Sequence, residues 1–263
     1  MDDENHQRFR RRRAVASLAL LAILALLITA ISSHGGAHHL KTPDPVSAHT
    51  AVPRPTSAEQ AALNHQAEEK AIDSVLAYTP AVTSGGGKGH ELALTFDDGP
   101  GPYTQQLVAT LNRLHVHATF FAIGEEERYF SAGTTLELHS GDVIGDHTET
   151  HPMMASLSSH DQREELVEQI ARIELLGGPR PRLFRPPYGS FDATTFHLLH
   201  QLHLLMILWS TDTDDYTLPG VPAIVRSALA GAHPGAIILM HDAGGDRSET
   251  IAALPAIIHG LRK

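Results

Sequence analysis

Two adjacent carboxylates, Asp97 and Asp98, close an apolar run and lead straight into a Gly-Pro turn, in Leu94-Thr-Phe-Asp97-Asp98-Gly99-Pro100. Where the pleat of a strand breaks, neighbouring side chains can face different ways. One carboxylate can then bind a metal while the other takes a proton, although Asp-Asp-Gly is also a common turn. Further on, His147-Thr-Glu-Thr-His151-Pro152 spaces two imidazoles four residues apart. On a helical turn that spacing brings both to one side, where they can share a metal ion. The residues between them are not those of the H-E-x-x-H metalloprotease motif. One carboxylate plus two imidazoles leaves a coordination position for water, as in a catalytic rather than a structural site.

Three further segments carry polar groups behind apolar runs. In Phe184-Arg185-Pro186-Pro187-Tyr188-Gly189 the prolines hold a rigid turn without backbone donors, so the first free N–H belongs to Tyr188. Arg185 stands beside that turn, where it could hold a carboxylate by a bidentate contact. The run Trp209-Ser-Thr-Asp212-Thr-Asp214-Asp215-Tyr216 crowds three carboxylates, which repel unless a cation is near; a solvated acidic loop is the alternative. Ile237-Ile-Leu239-Met240-His241-Asp242 is a buried-strand pattern ending in histidine. Each segment alone also fits an ordinary turn, loop or core residue.

These residues need elements to place them. From residue 90 onward, strand-like runs at 92–96, 119–123, 142–144, 183–184, 204–209 and 236–240 alternate with helical stretches at 104–114, 161–176, 193–202, 221–230 and 250–261. The stretch 125–139 is helical in part. Such alternation implies βα units on a parallel sheet, and six or so units suit a barrel better than a small open sheet. The polar segments follow the strands, at the carboxyl ends where parallel barrels assemble their sites.

The rest of the 263-residue chain bounds the function. It has no cysteine, so any metal must be held by histidine and carboxylate. A formal charge of −10 argues against nucleic-acid binding. Residues 1–13 end in an arginine cluster and 14–31 are uncharged and apolar. In helix that run spans about 27 Å, near the ~30 Å hydrocarbon core. It reads as a single transmembrane anchor with the arginines cytoplasmic and the remainder outside, a cleaved signal being the alternative. Residues 32–89 read as a stalk, Pro-, Ser- and Thr-rich, with a short helix from the capping box Ser57-Ala-Glu-Gln60 to about Tyr78.

In order, TFDDGP, HTETHP, RPPYG, DTDDY and LMHD resemble the five motifs of the polysaccharide deacetylases, carbohydrate esterase family four with the NodB-homology domain. The resemblance covers residues 90–263 and implies a distorted (β/α) barrel. It implies Asp98, His147 and His151 as ligands of a divalent metal, zinc first and cobalt or another ion next. Asp97 would be the general base, oriented by Arg185. Tyr188 would give its backbone N–H to the oxyanion, and Leu239 would line the acetyl pocket. His241 would be the general acid, held by Asp215. The implied reaction removes N-acetyl groups from a cell-surface polysaccharide, peptidoglycan first, with chitin oligomers, exopolysaccharide or O-acetylated xylan also open. A silent wall-binding module of the same fold is the rival from another class. Partners would be the polysaccharide and the membrane, with no obligate protein partner. Two departures stand out: Tyr216 where the family usually has Trp, and a Ser-, Gly- and Thr-rich stretch at 129–139 where it tends to have a charged helix.

Overall fold

A computed structural model describes residues 57–86 and 89–263; the basic segment and the apolar run at 14–31 lie outside them. Among the described residues no helix is long and apolar enough to cross a membrane. The chain begins with α1 (Ser57–Leu76) and β1 (Ala81–Val82), then alternates. Next come β2 (Ala93–Asp97), α2 (Thr104–Leu114), β3 (Thr119–Ala122), α3 (Gly124–Ser140), β4 (Val143–Asp146) and α4 (Ser159–Leu175). β5 (Leu183–Phe184), α5 (Ala193–Leu202), β6 (Leu205–Ile207), β7 (Thr211–Asp212), α6 (Val221–Ala230), β8 (Ile237–His241) and α7 (Ser248–Leu261) complete it.

All eight strands pair in parallel in the order β1-β6-β5-β4-β3-β2-β8-β7. β1 and β7 are edges, so the expected barrel is a half-barrel. One backbone hydrogen bond bridges towards the open side, from Gly85 N–H to the Gly235 carbonyl at 2.7 Å. The covering helices explain why the strands are nearly continuous apolar runs rather than alternating ones.

Strand periodicity sorts the residues of each strand to two faces. On the outer face Leu94, Phe96, Phe120, Ile144, Ile238 and Met240 pack under the helices. The inner face runs from apolar to polar along each strand. β2 presents Ala93, Thr95 and Asp97; β8 presents Ile237, Leu239 and His241. Register sets Thr95 beside Leu239 and Asp97 beside His241. Val82, Leu205, Ile207 and Ile237 together with Ile72 and Val75 of α1 form a second buried apolar cluster beside the sheet.

That packing answers what sequence left open about the helix in the stalk. Described residues before position 90 supply an edge strand and a helix that buries its apolar side against the sheet. The 125–139 stretch is two helical segments joined at a kink, where Phe130 leaves the helical conformation (φ −124°, ψ 34°). Its small residues have a packing reason. A Cβ on Gly133 would lie 2.5 Å from the Pro100 side chain, so glycine lets α3 approach the turn after β2.

Because Ile72 is only 1% exposed within this cluster, Ile72→Ala should cost about 2–5 kcal/mol of stability. Urea unfolding of the purified chain measures this. A loss within error would mean α1 is not part of the cooperative unit.

Candidate active site

The site is built on a buried cation. Arg185, at the end of β5, has no exposure to solvent. Its Nη1 donates to Asp97 Oδ1 at 2.7 Å and to Thr95 Oγ1 at 2.8 Å, and its Nε donates to the Ile207 carbonyl at 3.1 Å. The guanidinium also lies 4.2 Å from the centroid of the Phe121 ring. Burial lowers the Arg185 pKa and the adjacent Asp97 opposes that shift. Sequence suggested a bidentate grip on a carboxylate. Instead one nitrogen serves Asp97, and the remaining donors go to a threonine and to the backbone carbonyls of Ile207 and Leu208 at the end of β6.

Asp98 leaves the strand with φ 73°, which turns its carboxylate away from that of Asp97. Its Oδ1 lies 3.6 Å from His147 Nε2 and 3.2 Å from His151 Nε2. Burial alone would raise the Asp98 pKa. Hydrogen bonds to His147 and His151, with charge on His147 and His241, override it and hold the carboxyl well below its ordinary range. The wall above it must be glycine: a Cβ on Gly244 would lie 2.5 Å from Asp98 Oδ2.

His147 and His151 sit on a loop after β4, not on a helical turn. Their approach comes from two left-handed residues, Thr148 (φ 72°) and His151 (φ 61°). Asp146 Oδ1 accepts the Thr148 N–H at 2.7 Å, and Thr148 Oγ1 accepts the His151 N–H at 3.0 Å. His147 Nδ1 is 2.7 Å from the Arg185 carbonyl, so that nitrogen carries the proton and Nε2 keeps a free lone pair. His151 Nδ1 is 3.1 Å from the Tyr188 hydroxyl. The ligand atoms of Asp98, His147 and His151 all lie within 4.8 Å of one another. Donors held at ~2.0–2.2 Å from a tetrahedral ion stand about 3.3–3.6 Å apart, so the trio fits one divalent metal.

Across the cleft stands His241, 9% exposed, at the end of β8. Asp215 Oδ1 is 2.7 Å from its Nδ1, and Asp215 Oδ2 accepts the His241 backbone N–H at 2.9 Å. Thr250 donates to the same Oδ2 at 2.6 Å. Burial would lower the His241 pKa. The hydrogen bond and charge of Asp215, with Asp97 and Asp98 adding, reverse this and raise it to about 9. The Tyr216 ring packs edge-on against the His241 ring at 5.2 Å between centroids.

Asp97, Asp98, His147, His151 and His241 line an open cleft of about 690 Å³, with Leu239 in its wall and Tyr188 at its edge, while Arg185 and Asp215 lie buried behind it. Tyr188 adopts φ 57° and is 67% exposed. All the residues singled out in the sequence therefore meet in one place. Thr95, Thr250 and Asp242 were not anticipated in these roles. Asp242 is fully buried, accepts a hydrogen bond from Thr104 and donates its N–H to the Asp97 carbonyl at 3.2 Å. Its carboxyl is raised to about 7, chiefly by burial. Thr95 could have been found from its inward register between Ala93 and Asp97. Nothing local in sequence marks Thr104 as the partner of Asp242.

Comparison with known proteins agrees with this geometry. The family described as polysaccharide deacetylase matches residues 84–207. A peptidoglycan-N-acetylglucosamine deacetylase of Bacillus cereus is 37% identical over 175 residues, covering 65% of this chain and 82% of that one. A second from the same species is 32% identical over 174 residues, covering 65% of this chain and 63% of that relative's length. A crystal structure of a peptidoglycan N-acetylglucosamine deacetylase with a bound N-oxidanyl-benzamide superposes with a TM-score of 0.69 at 30% identity, over 72% of this chain and 89% of that one. A structure described as a pseudoenzyme of the same esterase family, from Bacillus anthracis, gives 0.67 at 28% identity, over 72% of this chain and 66% of that one. With this sequence likeness, fold and site, the chain belongs to the polysaccharide deacetylase family.

Proposed function

We propose that the protein removes N-acetyl groups from an N-acetylglucosamine-containing polymer of the cell surface, peptidoglycan foremost, in a metal-dependent hydrolysis that releases acetate. One observation carries this reading. The Asp98, His147 and His151 trio shares a cleft with a buried Arg185–Asp97 pair on one side and a buried Asp215–His241 pair on the other. The fold alone would not carry it, since a relative of this fold is described as a pseudoenzyme. A silent module has no need of two buried charge pairs facing one metal-binding trio.

Asp98, His147 and His151 would hold the ion, and the donor set suits zinc, with cobalt as a substitute. A bound divalent ion supplies Lewis acidity and lowers the pKa of water towards neutrality. Asp97, oriented by the Arg185 hydrogen bond, takes a proton from the attacking water. As the oxygen–carbon bond forms, charge grows on the acetyl oxygen, where the Tyr188 N–H donates. His241 is protonated at neutral pH and delivers its Nε2 proton to the departing nitrogen as the carbon–nitrogen bond breaks. Leu239 offers an apolar wall to the acetyl methyl.

We further propose that the apolar run 14–31 tethers the chain with its catalytic part outside, zinc being acquired there. Protease added to intact protoplasts should then degrade residues 90–263; a protected domain would refute the tether.

The role assignment separates variants in two measurements, metal content and acetate release from purified wall or chitin oligomers. Asp98→Asn, His147→Ala and His151→Ala should fall in both. Asp97→Asn and His241→Ala should keep the metal and lose ~10²–10⁴-fold in turnover. Chelation should abolish release and added zinc restore it. If Asp97→Asn loses the metal and Asp98→Asn retains it, the roles are reversed.

The pH dependence follows from the Asp215–His241 pair. A base whose pKa is raised stays protonated to higher pH, so activity persists until the pH rises through the His241 value. Asp215→Asn removes the hydrogen bond and charge that raise it. The alkaline limb of kcat/KM should therefore move to lower pH, while the acid limb, set by another group, stays. An unmoved alkaline limb would mean His241 is not the acid.

A further inference from the structure

Between the two histidines of the ligand loop lies a residue the mechanism does not use. Glu149 is 2% exposed, a burial that a carboxylate tolerates only when it is paired. Arg172 of α4 grips it with a two-nitrogen fork, Nη2 to Oε1 at 3.2 Å and Nε to Oε2 at 3.4 Å. Arg128 of α3 pairs with the same Oε1. The carboxylate occupies the space where a side chain on Gly124 would stand, so the first residue of α3 has to be glycine.

Backbone bonds run alongside these charges. Gly124 N–H donates to the Thr148 carbonyl at 3.1 Å, and Glu125 N–H to the Glu149 carbonyl at 2.8 Å. From the other side, Glu149 N–H donates to the Glu165 carbonyl at 3.1 Å, and the Glu165 carboxylate accepts from Thr150 N–H at 2.8 Å. The loop from His147 to His151 is thus tied to two helices at its midpoint. Its own conformation, with Thr148 and His151 left-handed, is one that non-glycine residues hold only when their surroundings enforce it.

We propose that Glu149, clamped by Arg172 and Arg128, is the positioning residue that fixes the spacing of His147 and His151 and so sets the affinity of the trio for its metal. It touches neither metal nor substrate and acts through the loop backbone. The inference rests on the reading of Asp98, His147 and His151 as metal ligands. The two arginines are unequal: Arg172 is about one-fifth exposed and forked, whereas Arg128 is half exposed and its pairing is weakened by water.

The test is zinc affinity of the full chain, measured by competition with a chelator in the absence of any saccharide. Glu149→Gln and Arg172→Met should each weaken zinc binding about 10–100-fold, as loss of outer support does at other metal sites. Arg128→Met should stay within about fivefold of the parent. The Glu149→Gln, Arg172→Met double variant should be little worse than either single one, since the two act as a unit. With cobalt in place of zinc, the visible absorption of Glu149→Gln should shift from the parent's, reporting altered ligand geometry. Should Glu149→Gln fail to fold, Arg172→Lys, which keeps the charge and removes the fork, must show the weakening. If these variants bind zinc as tightly as the parent while melting at lower temperature, the clamp is structural only and the proposal is overturned. A parent chain that binds no zinc overturns the metal reading itself, a different result from a parent that binds and a variant that binds equally well.

Discussion

A guanidinium shut off from water must find every partner inside the protein, and Arg185, behind β5, finds them on the adjacent β6 and its following residue and, across the half-barrel, on β2. Leaving such a charge unpaired costs about 3–5 kcal/mol, so the ends of β2, β5 and β6 are obliged to converge on it. That convergence is what turns a run of apolar strands into a site. Asp97 is held by the guanidinium itself, and His147 is oriented by the carbonyl of the same residue. One arginine therefore fixes both a carboxylate and the imidazole facing it. The apolar cluster of Leu205, Ile207 and Ile237 with α1 supplies the contrast, excluding water from the structure beside that site.

On the far wall the same device appears with reversed sign. Asp215 is fully buried and surrounded by donors: His241 through ring and backbone, and Thr250 through its hydroxyl. A buried carboxylate so satisfied has a fixed charge to offer, and it spends that charge on one ring nitrogen. Strand register then puts the two devices side by side, because Asp97 and His241 are direct partners in the β2–β8 ladder. The chemistry is arranged by pairing of backbone as much as by choice of side chain.

The ordered motifs and their position behind strands were legible in the sequence, and with them the family, the parallel sheet and the residues that gather around the cleft. Other features were not, because they are set by contacts distant along the chain. The spacing of His147 and His151 suggested a helical turn, yet the loop reaches the same closeness through left-handed residues supported by Asp146 and Glu149. The two-residue strands β1 and β7 are too short to show a period, and without them a half-barrel reads as a barrel. The stretch at 129–139 looked loose by composition; Gly133 and Thr134 are instead small because α3 lies close against the turn after β2 and against its own Glu127. Glu149 stood in plain view inside a motif. Only the fold brings Arg128 and Arg172 to it.

Asp98, Thr148, His151, Tyr188 and Asp214 all hold positive φ around the cleft, whereas the cluster beside the sheet is ordinary apolar packing. Left-handed backbone costs a non-glycine residue as much as about 1–3 kcal/mol, less for Asp. Outside the cleft the same conformation occurs at His115 and His203, which close helices, and at Leu218, so five of the eight left-handed non-glycine residues among those described gather at the site. Glycine or asparagine at these positions would relieve the backbone, but at Asp98 and His151 the same change removes a group of the trio, so stability and chemistry pull those two positions in opposite directions.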